Sequence, residues 1–530
     1  MNAQRTSRLA GLLCAAALAA CAGPRPAPIT PSRPNVLLVT IDTLRADHLG
    51  AYGSTTVRTP SLDRLAADGV LFERAYSQSH ITVPSHLSIL SSLPVQEHGV
   101  AENQAPVTRP IVTLPALLRQ AGYHTGAFVS ATHLGPRRAV GQLVAPDVEV
   151  FEFPERVSKP YRAEETNARL FRWLRGRCGG PFFAWVHYWD PHMPYQPPEP
   201  FDAAYYRDDP RAARFTSLVG VPHPWYHLEL AGLRRHLARE ARRVRALKRD
   251  FGLRTRQVRQ LVLYPVGAHA HDADGSRGLH ERLEEIGDVI RPRLPFRTGL
   301  ADWLTGIRDA RYPLAQYAGE VSYVDAQVGA LRAEIERLGI AGRTIVVVTA
   351  DHGELLGEHG VWFEHLGLND PSVHVPLIVW APGRLAPARR DDAASGLDVA
   401  PTVLGLAGVP AGRAMRGRDL FGPAAPGPTL VSEALRGAQL SIRDERWKLI
   451  RTLNDVSYAR DFERVAGTVE LYDLRADPGE QRDVSAQHAD ERFRLDAALD
   501  AWVAAHPATP RGEAGPGDKV EELRALGYVE

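Results

Sequence analysis

Five short, almost wholly apolar runs constrain this chain more than any other feature: Asn35–Ile41 (NVLLVTI), Thr125–Val129, Phe182–Val186, Thr344–Val348 and Val375–Trp380. A strand that is apolar at nearly every position buries both of its faces, the condition of a central strand in a sheet covered on both sides. Between these runs apolar residues recur at helical spacing in Pro60–Ala67, Leu114–Ala121, Ala163–Leu174 and Ala315–Leu338. Strands alternating with helices predict an α/β fold with a large, mostly parallel sheet flanked by helices. In such sheets ligands bind just beyond the carboxyl ends of the strands. The residues that follow each run are therefore where chemistry is expected.

Two strand ends carry ligand-type residues. Asp42 follows the first run, and Asp351-His352-Gly353-Glu354 follows the fourth. A carboxylate next to an imidazole supplies half a coordination sphere for a divalent metal. A third segment, Thr82-Val83-Pro84-Ser85-His86, opens a helical pattern. Pro84 suits a first helical turn, which sets Thr82 at the helix N-terminus, where amides and the helix dipole favour an anion. A hydroxyl there, beside a divalent cation, can lose its proton and attack phosphorus or sulfur. Alone, Thr-x-Pro reads first as an ordinary N-cap.

The runs DTLRADHLGAYG, TPSLDRLAADGVLFERAYS, TVPSHLSILSSLPVQEHGV and TADHGELLGEHG, in that order, resemble the sulfatase family of the alkaline phosphatase superfamily. So do VSYVDAQVGAL, VPLIVWAPG, RWKLIR, ELYDLRADPGE and the terminal LRALGY, so the resemblance spans nearly all the chain outside residues 205–310. It implies an alkaline phosphatase/sulfatase-like fold and a metal-dependent hydrolase of sulfate or phosphate esters. It further implies one divalent metal (Ca²⁺, Mn²⁺, Mg²⁺ or Zn²⁺) on Asp42, Asp351 and His352, with the Thr82 hydroxyl completing the set.

The departures from the family pattern shape the functional expectation. Thr82 stands where the family keeps the Cys or Ser that becomes formylglycine, so no formylglycine is expected. His86 replaces an Arg, Thr43 the second Asp of an Asp-Asp pair, Ala131-Thr132 a Lys before His133, and His365 a later Lys. Fixed cations clamp anionic oxygens, whereas imidazoles near neutrality also move protons. A sulfated threonine would need water to attack a hindered sulfate ester. A phosphorylated threonine can be hydrolysed at phosphorus. The Thr-x-Pro-x-His pattern is similar to nucleotide pyrophosphatase/phosphodiesterases. A single-metal set of acidic residue, Thr, Asp and His is similar to lipoteichoic acid synthase and phosphoethanolamine transferases. The expected activity is phosphodiester or phosphate-ester hydrolysis or transfer through Thr82. The alternatives are a sulfuric ester hydrolase, or a catalytically poor binding protein on the same fold. His192 is the favoured acid, with His86, His133 and His365 as further candidates for oxyanion or proton work. Asp190 with His192, in Trp189-Asp190-Pro191-His192-Met193-Pro194, is the pair that a second metal would use.

The domain plan follows from composition. Residues 1–20 combine Arg5 and Arg8 with the apolar stretch Leu9–Ala20 and lead into Leu18-Ala19-Ala20-Cys21, the pattern of a lipoprotein signal with a lipid-bearing Cys21. Ala22, rather than Asp, points to an outer-membrane address on the periplasmic face of the cell envelope. Residues 21–34 form a Pro-rich linker. Cys14 leaves with the signal and Cys178 is the remaining thiol, read as a small core residue or strand-edge filler, so no internal disulfide is expected. Residues 35–425 form the catalytic domain, interrupted at 205–310 by a basic amphipathic insertion. In it Leu230, Leu233, Leu237, Val244 and Leu247 alternate with Arg234, Arg235, Arg239, Arg242 and Arg243. That insertion reads as a solvated covering helix, or as a lid or patch for anionic lipid or glycan; His269-Ala270-His271-Asp272 within it reads as a polar loop. Residues 426–506 read as a small antiparallel sheet with a packed helix, followed by a tail, 507–530. A net charge of +1 gives no ground for a nucleic-acid partner. The expected partner is an anionic ester, an envelope glycan or lipid head group.

Overall fold

The computed structural model describes residues 33–155, 159–176, 180–212, 309–423, 430–457 and 463–510, with isolated positions 245, 249, 304 and 307. The expected signal, Cys21, the expected linker up to residue 32, Cys178, the segments expected to form the basic helix (apart from positions 245 and 249) and polar loop of the insertion, and the residues beyond 510 lie outside the described residues.

A nine-stranded sheet organises the fold. Its strands are β1 (Asn35–Ile41), β2 (Val70–Tyr76), β3 (His124–Val129), β4 (Val150–Glu152), β5 (Phe182–Tyr188), β6 (Thr344–Ala350), β7 (His374–Trp380), β8 (Ala388–Arg390) and β9 (Ala394–Ser395). The order is β8-β2-β7-β6-β1-β5-β3-β4, with β9 also on β2. β1 lies at the centre, parallel to β5 on one side and β6 on the other. All seven residues of β1, β5 and β6 are buried, as their apolar runs predict. Only β7 runs antiparallel to its neighbours, β2 and β6.

The helices are α1 (Pro60–Ala67), α2 (Thr82–Ser91), α3 (Leu114–Gln120), α4 (Ala163–Arg175), α5 (Arg311–Arg337), α6 (Val399–Ala407) and α7 (Ala489–Ala505). α1, α4 and α5 pack together, while α2, α3 and α6 form a second group. Asp325 of α5 accepts the amides of Ser61 and Leu62 in the first turn of α1, at 3.1 and 2.7 Å. These two bonds join the long helix to the first crossover and satisfy two orphan donors of α1. No described helix is long and apolar enough to cross a membrane.

The C-terminal sheet comprises β10 (Leu430–Ala434), β11 (Gln439–Arg443), β12 (Trp447–Thr452) and β13 (Val469–Asp473), antiparallel throughout. α7 covers it through Leu495, Leu499 and Trp502. It docks beside the large sheet's active edge: Glu433 N donates to Gln78 O at 2.9 Å, and Leu435 N to His80 Nε2 at 3.0 Å.

Candidate active site

The site forms where β1 and β6, paired in register from Asn35–Thr344 to Ile41–Ala350, end side by side. Asp42 follows β1 and Asp351 follows β6, so the register alone makes the two carboxylates neighbours. Ligand atoms of Asp42, Asp351 and His352 lie within 4.8 Å of one another, and all three residues are buried. The chain around them is held tightly. A Cβ on Gly353 would collide with the Pro371 carbonyl, and Gly353 N donates to Ser372 O at 2.8 Å, so only glycine fits beside His352. Thr43 holds a φ of 52°, a costly conformation for a β-branched residue. Its amide donates to Asp351 Oδ1 at 3.3 Å and its carbonyl accepts from Tyr317 Oη at 2.7 Å.

The polar atoms left over define what the site can hold. Asp351 Oδ1 accepts from the amides of Thr43 and His352, but Asp351 Oδ2 and both oxygens of Asp42 are buried with no hydrogen-bond partner. His352 Nδ1 donates to Gly353 O at 3.0 Å, which leaves the Nε2 lone pair pointing inward, 3.4 Å from Asp351 Oδ2 and 3.9 Å from Asp42 Oδ1. Burial pushes the Asp42 carboxyl well above its usual range, with the Asp351 and Glu354 charges adding to the push, and raises Asp351 to about 6. Burial also lowers His352 to about 4. Unpaired buried acceptors are costly, and a cluster made only of acceptors fits a cation. Oxygen and neutral imidazole donors suit a divalent metal.

Thr82 is the first residue of α2, with Pro84 in its first turn, and its Oγ1 lies 3.3 Å from His352 Nε2. The helix is fastened to the end of β6 by Ser85 Oγ, which donates to Asp351 O at 2.6 Å. A row of open amides, as the sequence suggested, is not what α2 offers. Val83 N donates to Asn103 Oδ1, Pro84 has no N–H, and Ser85 N bonds Ile81 O. The helix dipole remains as the attraction for an anion.

Histidines line the rest. His192 stacks on Trp189 with ring centroids 3.8 Å apart, and its Nδ1 donates to Met193 O at 2.6 Å. His133 meets the edge of Trp189, and His365 lies 4.3 Å from His352 and 5.9 Å from His192, ring to ring. Burial lowers His192 to about 3 and holds His133, His365 and His86 below the usual histidine range. All are neutral near pH 7. His86 is turned under the site, its Nδ1 donating to Thr82 O at 2.8 Å and its Nε2 3.0 Å from Thr40 Oγ1. It supports Thr82 from below, and with both nitrogens engaged by protein atoms it has none free for the oxyanion or proton work expected of it.

Asp190 is occupied elsewhere. Its Oδ2 accepts Ala163 N at 3.0 Å at the start of α4, and Oδ1 lies 3.5 Å from Arg162. A carboxylate so committed is a poor metal ligand, and the described residues hold one candidate metal group, not two. Two residues without an expected role belong to the site. Glu354 is fully buried, its pKa raised well above normal by burial and then the Glu364 charge, with a Tyr195 hydrogen bond opposing. His187, one residue past the apolar core of the third run, points its Nε2 at Asp42 Oδ2, 3.6 Å away. The Thr40–His187 register pair of β1 and β5 was the signal for it.

A hydroxyl at a helix start, facing two carboxylates and an imidazole on adjacent parallel strand ends, defines an ester hydrolase site of the alkaline phosphatase superfamily. The sequence profile of the Sulfatase family matches residues 34–409, and the chain belongs to that family. It is 25% identical to N-acetylglucosamine-6-O-sulfatase of Bacteroides thetaiotaomicron, over 91% of this chain and 88% of the relative. It is 26% identical to the multifunctional alkaline phosphatase superfamily protein PehA of Trinickia caryophylli, over 74% of this chain and 77% of that one. Among solved structures, the phosphonate monoester hydrolase of Agrobacterium radiobacter superposes with a TM-score of 0.60 at 22% identity, covering 89% of this chain and 96% of that chain. These relatives establish the mixed α/β fold and an ester hydrolase of this superfamily.

Proposed function

We propose that the chain hydrolyses or transfers phosphate esters, phosphodiesters foremost, with Thr82 as nucleophile and a divalent cation held by Asp42, Asp351 and His352. The observation that carries this reading is Thr82 Oγ1 itself, buried at the helix start and 3.3 Å from His352 Nε2. When bound, the cation offsets the buried carboxylates and acts as a Lewis acid toward an anionic oxygen. Thr82 Oγ1 forms the bond to phosphorus as the bond to the leaving oxygen breaks, and water then cleaves the phosphothreonine ester. We assign to His192 the proton transfer to the leaving oxygen. With its one proton on Nδ1 and bonded to Met193 O, neutral His192 presents a bare Nε2, which takes up the proton that Thr82 Oγ1 gives up on attack and then delivers it to the leaving oxygen. His133 and His365 border the same pocket and orient anionic oxygens. Threonine has no aldehyde hydrate with which to expel sulfate from carbon, so sulfate turnover would end at a slow ester. The names of the sulfatase relatives favour the second reading, a sulfuric ester hydrolase.

The setting we infer is the cell envelope, with a lipidated Cys21 anchoring the enzyme at the periplasmic face, on the outer membrane. There an envelope glycan or lipid head group supplies the anionic ester. The direct test compares a bis-aryl phosphate, an aryl phosphate and an aryl sulfate with added Mn²⁺ or Zn²⁺, using Thr82→Ala as control. Diester cleavage lost in the variant supports the reading. Sulfate cleavage lost in the variant, without diester cleavage, replaces it with the second.

A further inference from the structure

The loop that carries His192 is closed from behind by a small charged clasp. Its two ends, Asp190 and Gln196, are tied to the same two side chains. Arg162, the residue before α4, has Nη1 3.5 Å from Asp190 Oδ1, and its Nη2 donates to Gln196 O at 2.7 Å. Glu320 of α5 accepts Gln196 N on Oε1 at 2.8 Å, and its carboxyl is hydrogen-bonded to that of Asp190. α5 is also shaped to seat the chain that follows the loop. A Cβ on Gly319 would collide with Phe201 O and the Pro197 ring, and Gln316 Nε2 donates to Asp202 O at 2.7 Å.

Two carboxyls bond to one another only if one of them keeps its proton. Both are buried. Burial pushes Asp190 up to about 6, with Arg162 opposing, and pushes Glu320 well above its usual range, with the Asp190 charge adding to the push. The charge therefore settles on Asp190, beside the guanidinium, and the proton on Glu320. Glu320 Oε2 is buried and accepts from no donor, so it is the oxygen free to carry that proton. The clasp is then neutral: one guanidinium, one carboxylate and one carboxylic acid. What aims His192 lies at or between the tied ends. Its amide donates to Trp189 O at 2.8 Å, its ring stacks on Trp189, and Met193 O holds the Nδ1 proton.

We propose that Glu320 and Arg162 are positioning residues for His192, acting through Asp190 and Gln196 to hold the 190–196 loop, and with it His192 Nε2, in place. The inference rests on the reading of His192 as the proton carrier. Loss of the Glu320 proton sets two buried carboxylates against one another with Arg162 as their shared cation, and the loop loosens. The other titratable groups beside the pair, Tyr323 of α5 and Glu164 of α4, are bonded to each other at 2.8 Å and bring no second cation.

The test follows the His192 ring by isotope-edited NMR of the histidines of the full chain, its peak identified as the one missing from His192→Gln. Alongside it, kcat and KM are measured for a bis-aryl phosphate with Mn²⁺. Glu320→Ala is expected to displace or broaden the His192 peak and to lower kcat about 100-fold with KM little changed, the scale of misplacing a reacting group. Glu320→Gln, which offers a donor and an acceptor in place of the acid, is expected to leave both near wild type. Raising the pH until Glu320 ionises is expected to displace the same peak and lower kcat in the wild type, and to do neither in Glu320→Gln. His192 itself titrates far to the acid side, at about 3, and does not produce that limb. The inference is overturned by a His192 peak that stays put in Glu320→Ala, by Glu320→Gln as impaired as Glu320→Ala, or by an identical response of the peak to alkaline pH in wild type and Glu320→Gln. That last comparison decides the point even if Glu320→Ala does not fold. The peak needs no turnover, so a wild type that cleaves no diester counts against the function proposed above while the clasp is still decided.

Discussion

Two buried charged clusters in this molecule are built in opposite ways. At the ends of β1 and β6, Asp42, Asp351 and their histidines leave carboxylate oxygens and imidazole nitrogens without partners. At the seam between the two sheets, Lys448 Nζ lies 2.7 Å from Asp370 and 2.6 Å from Glu480, and Arg443 lies 2.6 Å from Asp370. There Glu480 Oε2 also accepts Asn369 Nδ2 and the Asp370 amide at 2.9 and 2.8 Å. The seam answers its own charges and is architecture. The strand-end cluster is completed only by something from outside, and that difference marks it as the functional site.

The comparison can be broken by substitution. Thr82→Ala is expected to lower turnover by roughly 10⁴- to 10⁶-fold, the scale for removing a nucleophile, with an unchanged melting profile. Steady-state kinetics beside thermal unfolding checks this, and residual activity near wild type would remove Thr82 from the chemistry. Lys448→Met is expected to do the reverse. Leaving the Glu480 carboxylate buried without its cation, while Asp370 keeps Arg443, costs about 3–5 kcal/mol, measured by denaturant unfolding, with the metal affinity of the folded fraction unchanged. Asp42→Asn sharpens the contrast further. It is expected to abolish metal binding yet to stabilise the metal-free protein by about 1–3 kcal/mol, the scale of an unmade buried acceptor. A destabilised metal-free variant would make Asp42 structural.

The smallest expected effects are in pH dependence, at most about 1.4 kcal/mol per pH unit for one group. Burial opposes ionisation of Asp370, but Arg443 and Lys448 overcome it and hold the group well below its ordinary 3.8. Its contribution is therefore present above pH 3.8 and lost as pH falls below it, and Asp370→Asn is expected to erase that acid limb. His133 is depressed from 6.5, chiefly by burial. Its folded state resists protonation, so wild-type stability relative to His133→Gln falls as pH drops below 6.5. Unfolding curves at a series of pH values separate the two windows.

Much of this was legible in the sequence because both signals are local. Apolar runs marked β1, β5 and β6, and α1 was bounded at Pro60 and Ala67 as observed. The residues after those runs, Asp42 and Asp351-His352, do converge with Thr82. What escaped depends on register. β2, VLFERAY, has half-exposed Glu73 and Arg74 within it and lacks the continuous apolar signature. His187, one residue past an apolar run, carried no expected role, and it is its register pairing with Thr40 that brings it beside Asp42. Asp190 looked like a ligand beside His192, and only the approach of α4 shows its oxygens already in use.

The most direct test of the central claim is to quench the enzyme during turnover of a phosphodiester and map any phosphoryl group by mass spectrometry. Phosphate carried on Thr82 and absent from Thr82→Ala is the expected result. Turnover with no phosphoryl group on Thr82, or with one on another residue, would contradict the assignment of Thr82 as nucleophile.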